Sequence, residues 1–355
     1  MDAPVIPALA PSPAEPSLAE KVAFLGGPSA YPSFDGPVTR RETHMSWVFF
    51  VGDRVYKLKK PVRFSYLDFS TPAQRQAACL AEFRLNRRLA PDVYLDVAEL
   101  TAGADGLAIN GAGEALDWLV VMRRLDETKM LDQRLANHVQ SRELDQLTAV
   151  LARFYRRTRR VRVPPAKHLA DWRAALAENR RVLFNPRLGL PPGLVRRVDA
   201  VQRRFLRRGS GLLAKRAREG RVLDAHGDLR PEHIWLGGQV KIIDCLEFSA
   251  LLRANDPMDE IAFLDLECEQ LGAPDAGRRL RHRLARALHD PAPEALYRFY
   301  RAYRATMRAR LSIAHMLEPN PRTPEKWPAQ ARAYLASALR DSIRLERLLR
   351  TPEDP

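Results

Sequence analysis

The run His226-Gly227-Asp228-Leu229-Arg230-Pro231-Glu232-His233 leads into Ile234-Trp235-Leu236, a Gly237-Gly238 turn, Val240-Lys241-Ile242-Ile243 and then Asp244. Two short apolar, β-prone segments joined by Gly-Gly predict a hairpin, because glycine supplies the positive φ that tight hairpin turns need. Asp228 stands just before the first strand and Asp244 just after the second. Antiparallel pairing therefore brings both carboxylates to the open end of one hairpin. Two acids on one rigid rim suit a site where a metal ion meets a phosphate. One aspartate can accept a proton from a nearby hydroxyl while the other holds the ion.

These residues resemble the catalytic loop and metal-binding strand of the aminoglycoside/choline phosphotransferase family, relatives of the eukaryotic protein kinases. The chain is similar to an uncharacterised bacterial branch of that family, whose members often carry a P-loop ATPase-like domain at the C-terminus. The likeness runs from about Pro28 to Leu317. It implies a protein-kinase-like bilobal α+β fold, with Asp228 as catalytic base and Asp244 as the main Mg²⁺ ligand. One position departs from the pattern. Five residues after the catalytic aspartate the family usually has Asn, which ligates a second metal; this chain has His233. Imidazole is a poor ligand for hard Mg²⁺ and suits Mn²⁺ or Zn²⁺ better. The departure leaves three readings open: a one-metal site, a different second ion held by His233, or weakened activity. His226 reads as a bracket for the loop.

Upstream, Trp47-Val48-Phe49-Phe50-Val51, a Gly52-Asp53 turn and Arg54-Val55-Tyr56-Lys57-Leu58-Lys59 predict a second hairpin. The two-residue period puts Val55, Lys57 and Lys59 on one face. A kinase-like fold needs one lysine here to hold the α- and β-phosphates. Lys57 is the choice, because Val55 can then face the adenine; Lys59 is the second candidate. Thr71-Pro72 is a cap followed by proline at N1, opening a helix predicted to reach Leu89. On that helix the resemblance places the lysine's partner at Glu82. The turn Thr43-His44-Met45-Ser46 corresponds to the phosphate-covering loop. It has no glycine, so Thr43 and Ser46 would bond phosphate oxygens through their hydroxyls. Trp118 to Met122 reads as a buried strand and Arg123 to Asp126 as the connection between lobes. The resemblance implies adenine bonding to backbone near Met122 and Arg123. After Asp244, the stretch Leu252 to Ala262 fits a family element whose acid braces the catalytic loop, with Asp256 and Asp259 as candidates.

The chain has 355 residues, 46% of them apolar, and a net charge of +15, enough for one bilobal domain or two ordinary ones. No apolar run is long enough to span a membrane. Cys79, Cys245 and Cys268 have no metal-ligand spacing, and a reducing cytoplasm fits them. Met1 to Ser17 is rich in Pro and Ala, without the basic and apolar parts of a signal peptide, and reads as a disordered tail. Ser17-x-x-Glu20 predicts a capping box. No G-x-x-x-x-G-K-[ST] occurs, so the fused ATPase domain is expected to be absent. The charge is uneven: residues 151–221 hold 21 Lys and Arg against Asp171, Glu178, Asp199 and Glu219, so the rest of the chain is nearly neutral. Leu194, Val198, Val201 and Phe205 make one amphipathic face in that segment. Such a surface would repel a cationic aminoglycoside and attract an anionic ligand. Few aromatics accompany the arginines, which disfavours a nucleic-acid stacking surface.

These readings give a tail at 1–17, an N-lobe at 18–121, a hinge at 122–126 and a C-lobe at 127–350. The C-lobe would hold the catalytic loop at 226–233 and the metal ligand at strand end 244. The expected activity is transfer of the γ-phosphoryl group of ATP, with Mg²⁺ or Mn²⁺, to a hydroxyl of a small molecule, an anionic one fitting the charge. The alternatives are a nucleotide-binding pseudokinase and a kinase acting on protein or RNA.

Overall fold

The computed structural model describes residues 16–64, 66–137, 139–318, 321 and 323–350. The expected tail up to residue 15, and the polar end after residue 350, lie outside them. The chain forms two compact units. One holds the described residues up to Arg87 together with Pro91–Arg124, and the other holds Arg88–Ala90 with the described residues from Leu125 onward.

The first unit opens with α1 (Leu18–Leu25), whose Ser17 and Glu20 form the expected capping box. An antiparallel sheet follows, built from β1 (Thr39–Glu42), β2 (Ser46–Val51) and β3 (Arg54–Lys59). A small ladder, β4 (Arg63–Phe64) with β5 (Leu67–Asp68), leads to α2 (Pro72–Asn86). The sheet is completed by β6 (Tyr94–Gly103), β7 (Gly106–Ile109) and β8 (Glu114–Arg123), in the order β1-β2-β3-β8-β6-β7. The β2–β3 hairpin has the expected register, Val51 opposite Arg54, with Gly52 at φ +56° as the first turn residue. Phe49, Leu58, Leu100 and Leu119 form the fully buried face of the sheet, each on the inward side of a two-residue alternation.

Helix α2 begins where Thr71 predicts, with Thr71 and Gln74 capping each other reciprocally, but it ends at Asn86 instead of Leu89. The cause is long-range. Arg88 donates to the carbonyls of Asp224 and Ala225, at 2.7 and 2.9 Å, and Leu89 is buried in the core of the second unit. Strand β8 likewise extends one residue past the expected Met122, through Arg123.

The second unit is mainly helical. Its elements are α3 (Leu131–Ala136), α4 (Ser141–Arg157), α5 (Pro165–Leu183), α6 (Pro192–Arg208), α7 (Ser210–Arg218), β9 (Leu223–Asp224), β10 (Ile234–Trp235) and β11 (Lys241–Ile242). Then come α8 (Ala250–Arg253), β12 (Ala254–Asn255), α9 (Pro257–Gln270), α10 (Pro274–Ala287), α11 (Glu294–Ala314) and α12 (Lys326–Leu348). Phe205, Phe299, Tyr300 and Trp172 stack around the centre of the core. On α6 the buried face is Val195, Val198, Val201 and Phe205, with Leu194 only half-buried. Helix α9 is buried over most of its length, acids included, so its carboxylates must be paired or hydrogen-bonded. They are: Arg304 holds Asp259, Arg301 holds Asp265, and Arg216 holds Asp256. Among the described residues no helix is long and apolar enough to cross a membrane.

Candidate active site

The expected hairpin after Asp228 forms. Ile234 pairs with Ile242 and Trp235 with Lys241, Gly238 takes the positive φ, and the Ile243 amide donates to the His233 carbonyl at 2.9 Å. The loop before it is held by backbone geometry only glycine tolerates. Gly227 lies at φ +90°, and a Cβ there would sit 2.9 Å from the Leu246 side chain. Asp244 also lies in the left-handed region, at φ +62°, which aspartate adopts more readily than most residues.

His233 occupies the space between the two aspartates. Its Nδ1 is 2.8 Å from the Asp228 carbonyl oxygen. A carbonyl only accepts, so Nδ1 carries the hydrogen. The ring's Nε2 lies 3.5 Å from Asp244 Oδ2. An imidazole nitrogen and a carboxylate oxygen at this spacing can ligate one ion, and the mixed donor set fits Mn²⁺ or Zn²⁺ better than Mg²⁺.

Asp228 is partly exposed, and Arg230 Nε donates to its Oδ2 at 3.1 Å. Burial would raise the Asp228 carboxyl, but Arg230, His233 and Arg308 outweigh it and hold it below the ordinary value. Arg308 comes from α11, where it pairs with Glu267 of α9 and donates to the Tyr334 hydroxyl of α12. Arg230 also pairs with Glu232 at 2.7 Å.

His226 is a bracket, as expected. Its Nε2 donates to the Ile243 carbonyl, and its Nδ1 accepts from the Asp228 amide, which requires the neutral ring. Burial, and then the neighbouring His233, lower its pKa to about 4. Below the unfolded value of about 6.5 the unfolded chain binds a proton that the folded chain refuses. Stability due to this group is therefore complete above about pH 6.5 and falls as pH drops toward about 4, by at most about 3 kcal/mol. Urea denaturation across that range, in chelator-containing buffer, should show the loss in the wild type and a flatter curve in His226→Gln. Parallel curves would remove this assignment.

The loop is braced by Glu260, which the sequence reading passed over in favour of Asp256 and Asp259. Glu260 is fully buried. Its carboxylate accepts the amides of His226 and Gly227 and the Tyr155 hydroxyl. Asp256 instead caps α9 and binds Arg216 and Tyr300, while Asp259 binds Arg304 in bidentate fashion. The signal was present: Asp256-Pro257 is a cap with proline at N1, so Asp256 was committed to its own helix. Cys245 is a packed residue, its thiol pushed up to about 12 by burial and contacted by Arg88 at 3.2 Å.

In the first unit Glu82 is buried and holds both candidate lysines. Lys57 donates to Oε1 at 2.8 Å and Lys59 to Oε2 at 2.6 Å. They differ in depth: the Lys59 side chain is 1% exposed and that of Lys57 18%. Thr43 and Ser46 close a turn on each other, the Thr43 hydroxyl donating to the Ser46 carbonyl at 3.0 Å, and Ser46 is buried. Met122 stands opposite Val55 in the sheet, and the Arg123 amide donates to the Val93 carbonyl at 2.8 Å.

No family model matches the sequence. The chain is 35% identical over 300 residues to uncharacterized proteins of Mycobacterium tuberculosis and Mycobacterium bovis, a match covering 82% of this chain. The chain spans 58% of the length of those relatives. Among solved structures, it is similar to a choline/ethanolamine kinase family protein from Mesorhizobium loti, with 17% identity, a TM-score of 0.56 and coverage of 94% of this chain and 97% of the other. A choline kinase from Cryptosporidium parvum Iowa II gives 10% identity, a TM-score of 0.55 and coverage of 92% and 97%. Wild-type aminoglycoside 2'-phosphotransferase-IIIa in complex with GDP gives 14% identity, a TM-score of 0.50 and coverage of 90% and 98%. A mainly helical unit carrying the Asp228 hairpin, a sheet unit carrying the Lys57–Glu82 pair, and these neighbours agree: the chain has the protein-kinase-like fold found in choline/ethanolamine kinases and aminoglycoside phosphotransferases.

Proposed function

We propose that this chain is a metal-dependent phosphotransferase that moves the γ-phosphoryl group of ATP to a hydroxyl of a small molecule. The observation that carries the reading is the His233 ring set between Asp228 and Asp244. In this reading Asp228 orients the acceptor hydroxyl and takes its proton as the oxygen bonds to phosphorus and ADP leaves. Asp244 and His233 Nε2 would hold the metal, which would neutralise phosphate charge. Lys57 would bind the α- and β-phosphates, with Glu82 fixing its position. Its greater exposure favours it over Lys59, which stays buried beneath Glu82 and against Phe69.

Arg230 and Arg308 both raise the positive potential at Asp228, which supports a neutral or anionic acceptor over a cationic one. The name of the aminoglycoside enzymes among its neighbours therefore does not carry over to its substrate. His233 in place of the family's Asn also favours a second reading, a nucleotide binder without transfer.

The test is ATP consumption across a library of neutral, anionic and cationic hydroxyl compounds, with Mg²⁺ and then Mn²⁺. We expect metal-dependent turnover, faster with Mn²⁺, with at least one uncharged or anionic acceptor, and its loss in Asp244→Asn. Thermal stabilisation by ATP and metal without turnover on any acceptor would instead establish the non-catalytic reading.

A further inference from the structure

The large unit carries a second charged feature that shares no residue with the Asp228 loop. Three hollows run together along its surface. The first, about 940 Å³, is bounded by α10 and the segment 287–292. The second, about 450 Å³, lies against the last turns of α4. The third, about 200 Å³, lies beside Thr158 and Gly220. Ala287 lines the first two, Arg156 the last two, and Asp290 the first and third, so they form one continuous groove.

On α6, Arg203 pairs with Asp199, and Arg197 and Arg204 share Glu346 of α12, while Arg196, Arg207 and Arg208 are exposed on a convex helix face outside the hollows. In the groove Arg283 pairs with Asp145 and Arg221 with Asp290. Arg153, Arg157, Arg160 and Arg286 line it as well. All four are exposed, and among the described residues none has a carboxylate partner. Arg153 and Arg157 lie one turn apart on α4, and Arg160 follows the helix in a bridge opposite Leu223. The aromatics along the groove, Tyr155 and Tyr297, are 3% and 1% exposed and offer no face on which a base could stack.

We propose that this groove binds the phosphodiester backbone of nucleic acid without reading its bases. Guanidinium groups without carboxylate partners, spread over adjoining hollows, match a string of phosphates, each contact releasing a condensed counterion. Four arginines distributed over three adjoining hollows favour an extended polyanion over a compact one, and the buried tyrosines offer it no stacking face. This goes beyond the phosphotransferase reading and does not depend on it.

The test is fluorescence anisotropy of a labelled 20-nucleotide RNA of mixed sequence with the full chain, without ATP, over a range of KCl concentrations. Four phosphate contacts give an expected slope of log K against log salt of about −3 for a single strand. The Arg153→Gln/Arg157→Gln/Arg160→Gln/Arg286→Gln variant should lose at least about tenfold in affinity at low salt and most of that slope. A control variant, Arg180→Gln/Arg197→Gln/Arg203→Gln/Arg204→Gln, removes four acid-paired charges from α5 and α6 and should keep both. Thermal melting confirms that each variant is folded. No binding at low salt, equal losses in the two variants, or binding of an acidic peptide but not of RNA would each overturn the proposal.

Discussion

Asp228→Asn should reduce phosphoryl transfer by about 10²–10⁴-fold while leaving ATP binding and melting temperature close to wild type. Asparagine keeps the shape and can still face a hydroxyl, but it has no charge to take the proton. The fold should tolerate the change because Arg230 retains Glu232 at 2.7 Å, so no buried guanidinium is orphaned. The direction of the Asp228 shift adds a pH signature. Its carboxyl sits below the ordinary value, so the base is already ionised at neutral pH. The wild-type rate should therefore show no acid limb from this group between about pH 5 and 8. A base that acidic contributes mainly by orienting the hydroxyl, which suits a loose transition state. If the variant turned over as fast as the wild type, Asp228 would have no catalytic part.

Glu260→Ala should be the most damaging single change to the loop itself. It leaves the His226 and Gly227 amides and the Tyr155 hydroxyl without their acceptor in a fully buried position. Each orphaned donor costs about 1–3 kcal/mol. An opposing effect limits the sum. Burial raises the Glu260 carboxyl above its ordinary value, although the Gly227 amide, Arg304, the His226 amide and Tyr155 all pull it down. A carboxyl raised in the folded state loses stability as pH rises through its folded value, so its removal at neutral pH relieves part of a burial cost. The net loss should be about 2–4 kcal/mol, read as a lower urea midpoint. Glu260→Gln keeps an acceptor oxygen for Gly227 and should lose only about 1 kcal/mol. Activity should fall with the alanine variant more than with glutamine, because the loop carrying Asp228 is no longer fixed. Identical midpoints for the alanine variant and wild type would show that Glu260 does not brace the loop.

These two residues mark the boundary of what could be read before the structure. Asp228 is legible because its neighbours in sequence are its neighbours in space: a short loop, a hairpin and a glycine at positive φ. Glu260 lies 33 residues from the Gly227 amide it accepts, and its role depends on how α9 is rotated against the loop. Sequence spacing alone pointed to Asp256 and Asp259 and not to Glu260. The lysines behave the same way. Strand alternation puts Lys57 and Lys59 on one face, as expected, but only packing makes one fully buried and leaves the other partly exposed. The residue at 233 was visible as a departure from the family pattern. Which of its nitrogens is committed to the Asp228 carbonyl, and which is left toward Asp244, was not.

The basic segment shows the same division. Its excess of arginine can be counted along the chain, yet the acid that pairs with Arg197 and Arg204 of α6 is as far away as Glu346. The four groove arginines proposed as phosphate contacts include Arg286, which lies outside the segment altogether. Hairpins, caps and strand faces were determined by local sequence, because their hydrogen bonds and side-chain periods close within a few residues. The end of α2, the brace under the Asp228 loop and the acid partner of Arg204 were decided only by tertiary structure, because each depends on a pairing between residues tens to more than a hundred positions apart.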